Sequence, residues 1–298
     1  MPCRRKTVTD NRPLRSVLYM PASNARAMAK ARTLDCDAVA LDLEDAVAPE
    51  AKADARAALV AEAQAGGFGH RRLIARINAL STPWGHDDLK ALGTAPIEAV
   101  LAPKVDDADD IIALSQAMDA AGFAPDVALW VMIETPRAVL ALERIAACAA
   151  TTRLQGFVLG LNDLAKDSGI AQLPGRAAFV PVLTLAVLAA RANGLLILDG
   201  VCNAIEDSAV LEAECVQARD SGFDGKTLIH PAQLAVCNRV FAPTDSDIAE
   251  ADAIVAAFAN PANAGKGALR VNGKMVELLH LAQSQRLIAK AAAIAARE

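Results

Sequence analysis

Aromatic residues are scarce in this 298-residue chain: one Tyr, two Trp and seven Phe make up 3% of it. The apolar mass, 54% of the residues, is therefore Ala, Leu, Val and Ile, a composition suited to helices packed on buried parallel strands. Histidine is equally sparse. The four residues at positions 70, 86, 230 and 280 have no zinc-ligand spacing. Six cysteines (3, 36, 148, 202, 215 and 237) form no CxxC pair, and a chain this long does not need disulfides, so a reduced, cytoplasmic setting is expected. There is no excess of positive charge: 30 basic against 35 acidic residues give a net charge of −5, which argues against nucleic acid or an anionic membrane as partner. The basic residues near the start (Arg4, Arg5, Lys6, Arg12 and Arg15) read as a short local cluster, on and just after an N-terminal tail, residues 1–14. Long hydrophobic runs are missing too. No apolar run follows the basic start, so no signal peptide is expected. The most apolar stretch, 180–192, ends at Asn193-Gly194 and is too short to span a bilayer.

What the chain does have is rhythm. Short β-branched runs at 16–21, 38–44, 72–78, 99–105, 128–134, 156–163, 195–201 and 226–231 read as strands. Their starts recur at roughly the 30-residue interval of a βα unit. Ala- and Leu-rich stretches such as 24–33, 49–65, 108–121, 136–149 and 208–220 read as the helices between them. Eight alternations predict an α/β protein, a (β/α)8 TIM barrel over residues 15–260, with an open doubly wound sheet as the alternative because strand order is not readable from sequence. Beyond it the rhythm changes: a helix at 245–259, a Gly- and Pro-punctuated stretch at 260–267, a segment at 268–276 and a last amphipathic helix. Residues 261–298 are expected to form a C-terminal lid or an arm onto a neighbouring subunit, with simple packing as the other reading of the last turns.

In a barrel the chemistry collects at the C-terminal ends of the strands. The predicted strands end in Asp42, Glu44 and Asp45, then Arg76 and Asn78, Lys104, Glu134, Asn162 and Asp163, Asp199, and His230. A carboxylate-rich rim with few histidines suits a hard cation such as Mg2+, which takes one or two carboxylates and keeps other positions for water and substrate. Glu134 and Asp163 are the best ligand pair. Each also has a plain structural reading: Glu134 precedes an N-cap and N1 pair, Thr135-Pro136, and Asp163 can itself cap a helix from Leu164. Arg76 either pairs with Glu44 or Asp45, or clamps an anionic substrate and stabilises an oxyanion; Lys104 has the same two readings. Two motifs are rejected. Asp220 to Thr227 lacks the first Gly of a Walker A loop and runs from helix into strand, and Gly265-Lys-Gly267 has no strand-turn-helix context.

Six segments in order are more specific: Arg15-Ser-Val-Leu-Tyr-Met-Pro-Ala, Leu41-Asp-Leu-Glu-Asp-Ala-Val47, Ala75-Arg-Ile-Asn78, Ile133-Glu-Thr135, Gly160-Leu-Asn-Asp-Leu164 and Gly225-Lys-Thr-Leu-Ile-His-Pro-Ala-Gln233. Together they resemble the citrate lyase β-subunit-like enzymes of the HpcH/HpaI aldolase superfamily, which includes malyl-CoA, citramalyl-CoA and citryl-CoA lyases. The resemblance runs from about Arg15 to the C-terminus. It implies a barrel assembled as a homotrimer or hexamer with shared active sites, binding Mg2+ and a CoA thioester. By position Glu134 and Asp163 match metal ligands and Arg76 the arginine on the substrate oxyanion. Glu44 and Asp45 join the catalytic set, and Arg15, Lys226 and His230 fall in motifs near the thioester-binding mouth.

The implied reaction is Mg2+-dependent cleavage of a 3-hydroxyacyl-CoA, of citramalyl-CoA or malyl-CoA type, to acetyl-CoA and pyruvate or glyoxylate. The metal would lower the pKa of the substrate hydroxyl, Arg76 would stabilise the enolate oxygen, and a carboxylic acid would protonate its carbon. In many relatives that acid is an Asp reaching a neighbouring subunit. Here the segment reads Gly273-Lys-Met-Val-Glu277, one methylene longer, with Leu279 in place of the usual Pro. Glu277 also has the plain reading of a helix-start carboxylate. Asp45 after Glu44, where pyruvate aldolases of the superfamily carry His, favours the thioester lyases. Two alternatives accompany this reading: a β subunit acting on citryl groups of an acyl carrier protein, and a binding homologue that keeps the metal site without turnover.

Overall fold

The computed structural model describes residues 12–297; most of the N-terminal tail, with Arg4, Arg5 and Lys6, lies outside the described residues. The apolar runs form eight parallel strands: β1 (Ser16–Pro21), β2 (Ala38–Asp42), β3 (Arg72–Arg76), β4 (Ala99–Ala102), β5 (Ala128–Ile133), β6 (Leu154–Leu159), β7 (Leu196–Asp199) and β8 (Gly225–Leu228). Each pairs with the next, and β8 returns to β1 through Ser16–Lys226 and Val17–Thr227. The sheet is closed, so the fold is a TIM barrel and not the open alternative. Between the strands run α1 (Ala25–Ala31), α2 (Lys52–Ala65), α3 (Gly85–Leu92), α4 (Ala108–Ala120), α5 (Pro136–Leu140), α6 (Leu142–Ala147), α7 (Leu161–Ser168), α8 (Val180–Ala192), α9 (Ser208–Ser221) and α10 (Leu234–Phe241).

Side-chain parity organises this barrel. Successive strand residues face opposite sides, and the buried apolar residues divide accordingly. Val17, Ala38, Ala40, Ile74, Leu101, Trp130, Met132, Val158, Leu196 and Leu198 fill the interior. Their neighbours Leu18, Val39, Leu41, Ala75, Val131, Phe157 and Ile197 join the layer under the helices. The same alternation carried to the strand ends sends Tyr19, Asp42, Arg76 and Glu134 inward, and Asp199 and Lys226 outward.

Most strands stop two to four residues before their expected ends, because polar side chains there bind loop backbone. The Asp42 carboxylate, for example, accepts the Glu44 N–H at 2.8 Å, turning the chain out of the ladder. Thr135 caps α5 by accepting the Ala138 N–H, with Pro136 at its first position. The expected helix at 136–149 divides into α5 and α6 at Ala141.

By length and composition the helical run Pro174–Ala192 could cross a membrane. Its backbone, however, breaks at Gly175 and Arg176 (φ 76° and 52°). That leaves α8 with 13 residues, about 20 Å at the usual rise, against a hydrocarbon core of about 30 Å. Leu183, Ala186, Val187 and Ala190 of α8 are buried in the layer under the helices.

The chain divides into two compact units at Phe241–Ala242, earlier than the barrel end expected at residue 260. The reason is that α11 (Asp245–Ala259) packs along α12 (Leu278–Ala295) rather than serving the barrel. The second unit also contains a hairpin where one segment was expected, β9 (Ala268–Val271) and β10 (Lys274–Glu277). Its two-residue turn, Asn272-Gly273, has φ of 48° and 79°, as type I′ hairpin turns demand.

Candidate active site

A cavity of about 340 Å3 opens at the C-terminal end of the strands, lined by Tyr19, Asp42, Asp45, Arg76, Glu134, Asn162, Asp163 and Thr227 among others. Each arrives there by parity or by a short loop. Asp42, Arg76 and Glu134 are buried on the inward side of β2, β3 and just past β5.

Arg76 is held first by Asp42, with Nε and Nη2 donating to its two carboxylate oxygens at 2.7 and 2.6 Å. Sequence reasoning had offered Glu44 or Asp45 as its partner. Both are near, Glu44 at 2.7 Å and Asp45 at 3.5 Å from Nη1, but the bidentate pair belongs to Asp42. Burial alone would weaken the charged form of Arg76; the Asp42 carboxylate more than offsets this, and the pKa stands well above the ordinary value. With its inner edge committed to Asp42, Nη1 is the edge left toward Glu44, Asp45 and the cavity. Its guanidinium also lies 4.7 Å from the centre of the Tyr19 ring, a cation–π contact that further restricts it.

Glu44 is buried, and burial pushes its carboxyl up to about 8, over the lowering effect of Arg76. Its loop is clamped by Lys52, whose Nζ donates to the Leu43 and Glu44 carbonyls at 2.8 Å each. Asp45, by contrast, has an exposed carboxylate on the cavity wall. Asn78 is structural: buried, it donates to Leu43 O and to the Asp88 carboxylate.

Glu134 and Asp163 come together through Lys104. The Lys104 N–H donates to Glu134 Oε1 at 2.7 Å, and its Nζ lies 2.7 Å from Asp163 Oδ2 and 3.4 Å from Glu134 Oε1. The structure thus shows the ion-paired reading of Lys104, with both carboxylates as its partners. Burial raises the Glu134 pKa despite Lys104. The second oxygen, Oε2, is buried with no hydrogen-bond partner. Space for this carboxylate exists only because residue 160 is Gly, where a Cβ would lie 2.5 Å from both Cβ and Oε2 of Glu134. Asp163 is not a helix cap: α7 already starts at Leu161, which places Asp163 in its first turn.

Among the described residues no three His, Cys, Asp or Glu side chains form a ready-made cage. Two carboxylates at an open mouth, one with an orphaned buried oxygen, are what Mg2+ asks of a protein. The residues fit that ion.

Three expected site residues lie elsewhere. Arg15 precedes β1 and so falls at the opposite, N-terminal end of the barrel, buried in a bidentate pair with Asp37. Lys226 and Asp199 face outward by parity and are fully buried behind the sheet. Lys226 Nζ lies 2.7 Å from Asp199 and 2.9 Å from Glu214, and Arg176 donates to both Asp199 oxygens. These ion pairs tie β7 and β8 to α9. His230 follows β8 and is exposed; its Nδ1 accepts the Ala232 N–H, and it is not among the residues that line the cavity. Glu277 starts α12 in the second unit, its N–H donating to His280 Nδ1 at 2.9 Å.

Sequence reasoning missed two residues. Tyr19 lines the cavity with a buried hydroxyl that has no partner, its pKa raised by burial, so it stands as a neutral donor. As the single Tyr of the chain, on the inward parity of β1, it was legible. Lys52 could not be found without the folded loop.

A family model for HpcH/HpaI aldolase/citrate lyase matches residues 15–231, the barrel with all of its mouth. The chain belongs to that family. It is an enzyme family, and relatives span nearly the whole chain. A (3S)-malyl-CoA thioesterase of Cereibacter sphaeroides is 48% identical over 95% of this chain and 96% of its own. An L-malyl-CoA/β-methylmalyl-CoA lyase of Rhodobacter capsulatus is 32% identical over 93% and 94%. Among solved structures, the CitE protein of Mycobacterium tuberculosis in complex with magnesium, acetoacetate and coenzyme A superposes with a TM-score of 0.76 at 29% identity, covering 93% of this chain and 97% of that one.

Proposed function

We propose that this enzyme hydrolyses a malyl-CoA-type thioester in a Mg2+-dependent reaction. The carrying observation is the 48% identity, over nearly both full lengths, to a malyl-CoA thioesterase, against 32% to a lyase on the same acyl group. The site supports it chemically. Glu134 and Asp163 would hold the metal. When bound, Mg2+ supplies Lewis-acid polarisation of substrate oxygens.

The chain's own residues supply the rest. Arg76, locked by Asp42, aims Nη1 at the negative charge that grows on the thioester oxygen when water attacks, and the Tyr19 hydroxyl is a second donor to substrate oxygen. Asp45, exposed on the wall, takes the water's proton as general base. The C–O bond forms, the C–S bond breaks, and the proton passes to the departing thiolate. The products are the free hydroxy acid and coenzyme A. Every group in this sequence lies in the barrel.

The second reading is C–C cleavage of malyl-CoA or citramalyl-CoA to acetyl-CoA and glyoxylate or pyruvate. The lyase relative supports it. It uses the same arginine for an enolate oxygen, with Glu277 as the acid that protonates carbon. Assembly as a trimer or hexamer and a reduced cytoplasmic setting belong to the same proposal. Exposed Leu185 and Leu188 on α8 support the first, and the five described cysteines, unpaired and buried, support the second.

One experiment separates the reactions. Purified enzyme with Mg2+ is given malyl-CoA, and free thiol, glyoxylate and acetyl-CoA are followed together. Thiol release without glyoxylate is expected. Glyoxylate in step with acetyl-CoA, and no thiol, would replace hydrolysis by the lyase reading.

A further inference from the structure

We propose that Lys104 is a built-in counter-cation that holds the Glu134–Asp163 pair until Mg2+ displaces it, so that metal loading is an exchange of one cation for another. The proposal rests on the reading of those two carboxylates as metal ligands. Three observations carry it. The Lys104 ammonium bridges both carboxylates, at 2.7 Å from Asp163 and 3.4 Å from Glu134, which is the position a shared cation would take. Residue 104 is held in the left-handed region, φ 54°, an uncommon conformation for a residue with a side chain, while its N–H is tied to Glu134 Oε1. The backbone thus aims the ammonium at the pair. Finally, the side chain is one-third exposed, so it can withdraw toward solvent without crossing the packed interior.

The physical reason for such a device is the pair itself. Two carboxylates this close repel each other, and one of them is fully buried. Without a cation between them that repulsion would push apart the segments that carry them. An ammonium holds the two carboxylates together, and at the same time lowers metal affinity, because Mg2+ must displace it. Lys104 is a positioning residue in this account.

Calorimetric titration with MgCl2, repeated by Mn2+ electron paramagnetic resonance, compares the wild type with Lys104→Met and Lys104→Arg. The neutral variant is expected to bind metal about tenfold or more tightly, since a competing and repelling charge has gone, and to lose thermal stability without metal and recover it with metal. The charged variant is expected to stay near wild type. Should Lys104→Met fail to fold, the wild type still answers. Acetic anhydride labelling read by mass spectrometry is expected to modify Lys104 faster with Mg2+ than without, because displacement frees the amine. Unchanged or weaker binding in Lys104→Met, or labelling unchanged or slowed by Mg2+, would overturn the proposal. If Glu134→Gln and Asp163→Asn leave metal binding unaltered, the metal reading falls and this proposal with it. If they abolish it while Lys104 proves indifferent, only the proposal falls.

Discussion

The two oxygens of Asp42 accept Nε and Nη2 of Arg76 at 2.7 and 2.6 Å, and the same carboxylate accepts the Glu44 N–H. One side chain on the last residue of β2 thereby orients the cavity's arginine and shapes the loop that carries Glu44 and Asp45. Fixing a guanidinium in this way before substrate arrives is electrostatic preorganisation.

Asp42→Asn leaves a buried guanidinium without its principal counter-charge. Urea denaturation should show a loss of about 3–5 kcal/mol, the usual result of removing one partner from a buried pair. Arg76→Lys cannot reproduce the planar fork and should lower kcat/KM about 100-fold or more. An Asp42→Asn protein with wild-type stability and rate would show that Asp42 does not organise the site.

Gly160→Ala places a Cβ 2.5 Å from the Glu134 carboxylate. The barrel should still fold, by circular dichroism, while Mg2+ affinity falls at least about tenfold because ligand placement tolerates little displacement. Normal metal binding in this variant would mean that Glu134 is not a ligand.

Glu134→Gln and Asp163→Asn should each abolish measurable Mg2+ binding and reduce turnover about 100-fold or more, and EDTA should silence the wild type reversibly. Full activity after exhaustive chelation would remove the metal from the reaction.

Burial raises the Glu44 carboxyl from 4.5 to about 8, so the folded protein keeps a proton that the unfolded chain releases. Its contribution to stability is therefore complete below about pH 4.5, declines as pH rises toward about 8, and changes no further above that. Glu44→Gln removes this dependence. The stability of the variant relative to wild type should increase across that window, measured by denaturation at several pH values; a constant difference would place Glu44 in a solvated environment.

Lys226→Met strips the charge that faces Asp199 and Glu214. A loss of about 3–5 kcal/mol in stability is expected, with little change in KM for the thioester. A large rise in KM at unaltered stability would return Lys226 to the binding mouth.

Eight apolar runs at βα spacing were enough to predict eight parallel strands and to favour a barrel over an open sheet, because a parallel strand buried on both faces has to be a short apolar run wherever it occurs; closure itself came from the tertiary structure. The strand-end residues Arg76 and Glu134, and Asp163 just beyond, were legible for the same reason: polar groups following such runs stand where the sheet ends. Parity was in the sequence as well. Leu196 and Leu198 leave Asp199 facing away, and Asp199 was nonetheless placed on the rim. Tertiary structure decided what depends on distance across the chain. Asp42 rather than Glu44 takes the arginine because β2 and β3 pair Asp42 with Arg76. Lys104 meets Glu134 and Asp163 because three loops converge over the barrel end, and Arg15 is remote because the strand after it runs the length of the barrel. Ion pairs between residues dozens of positions apart leave no local pattern, so only the closed sheet could select among the carboxylates that the sequence offered.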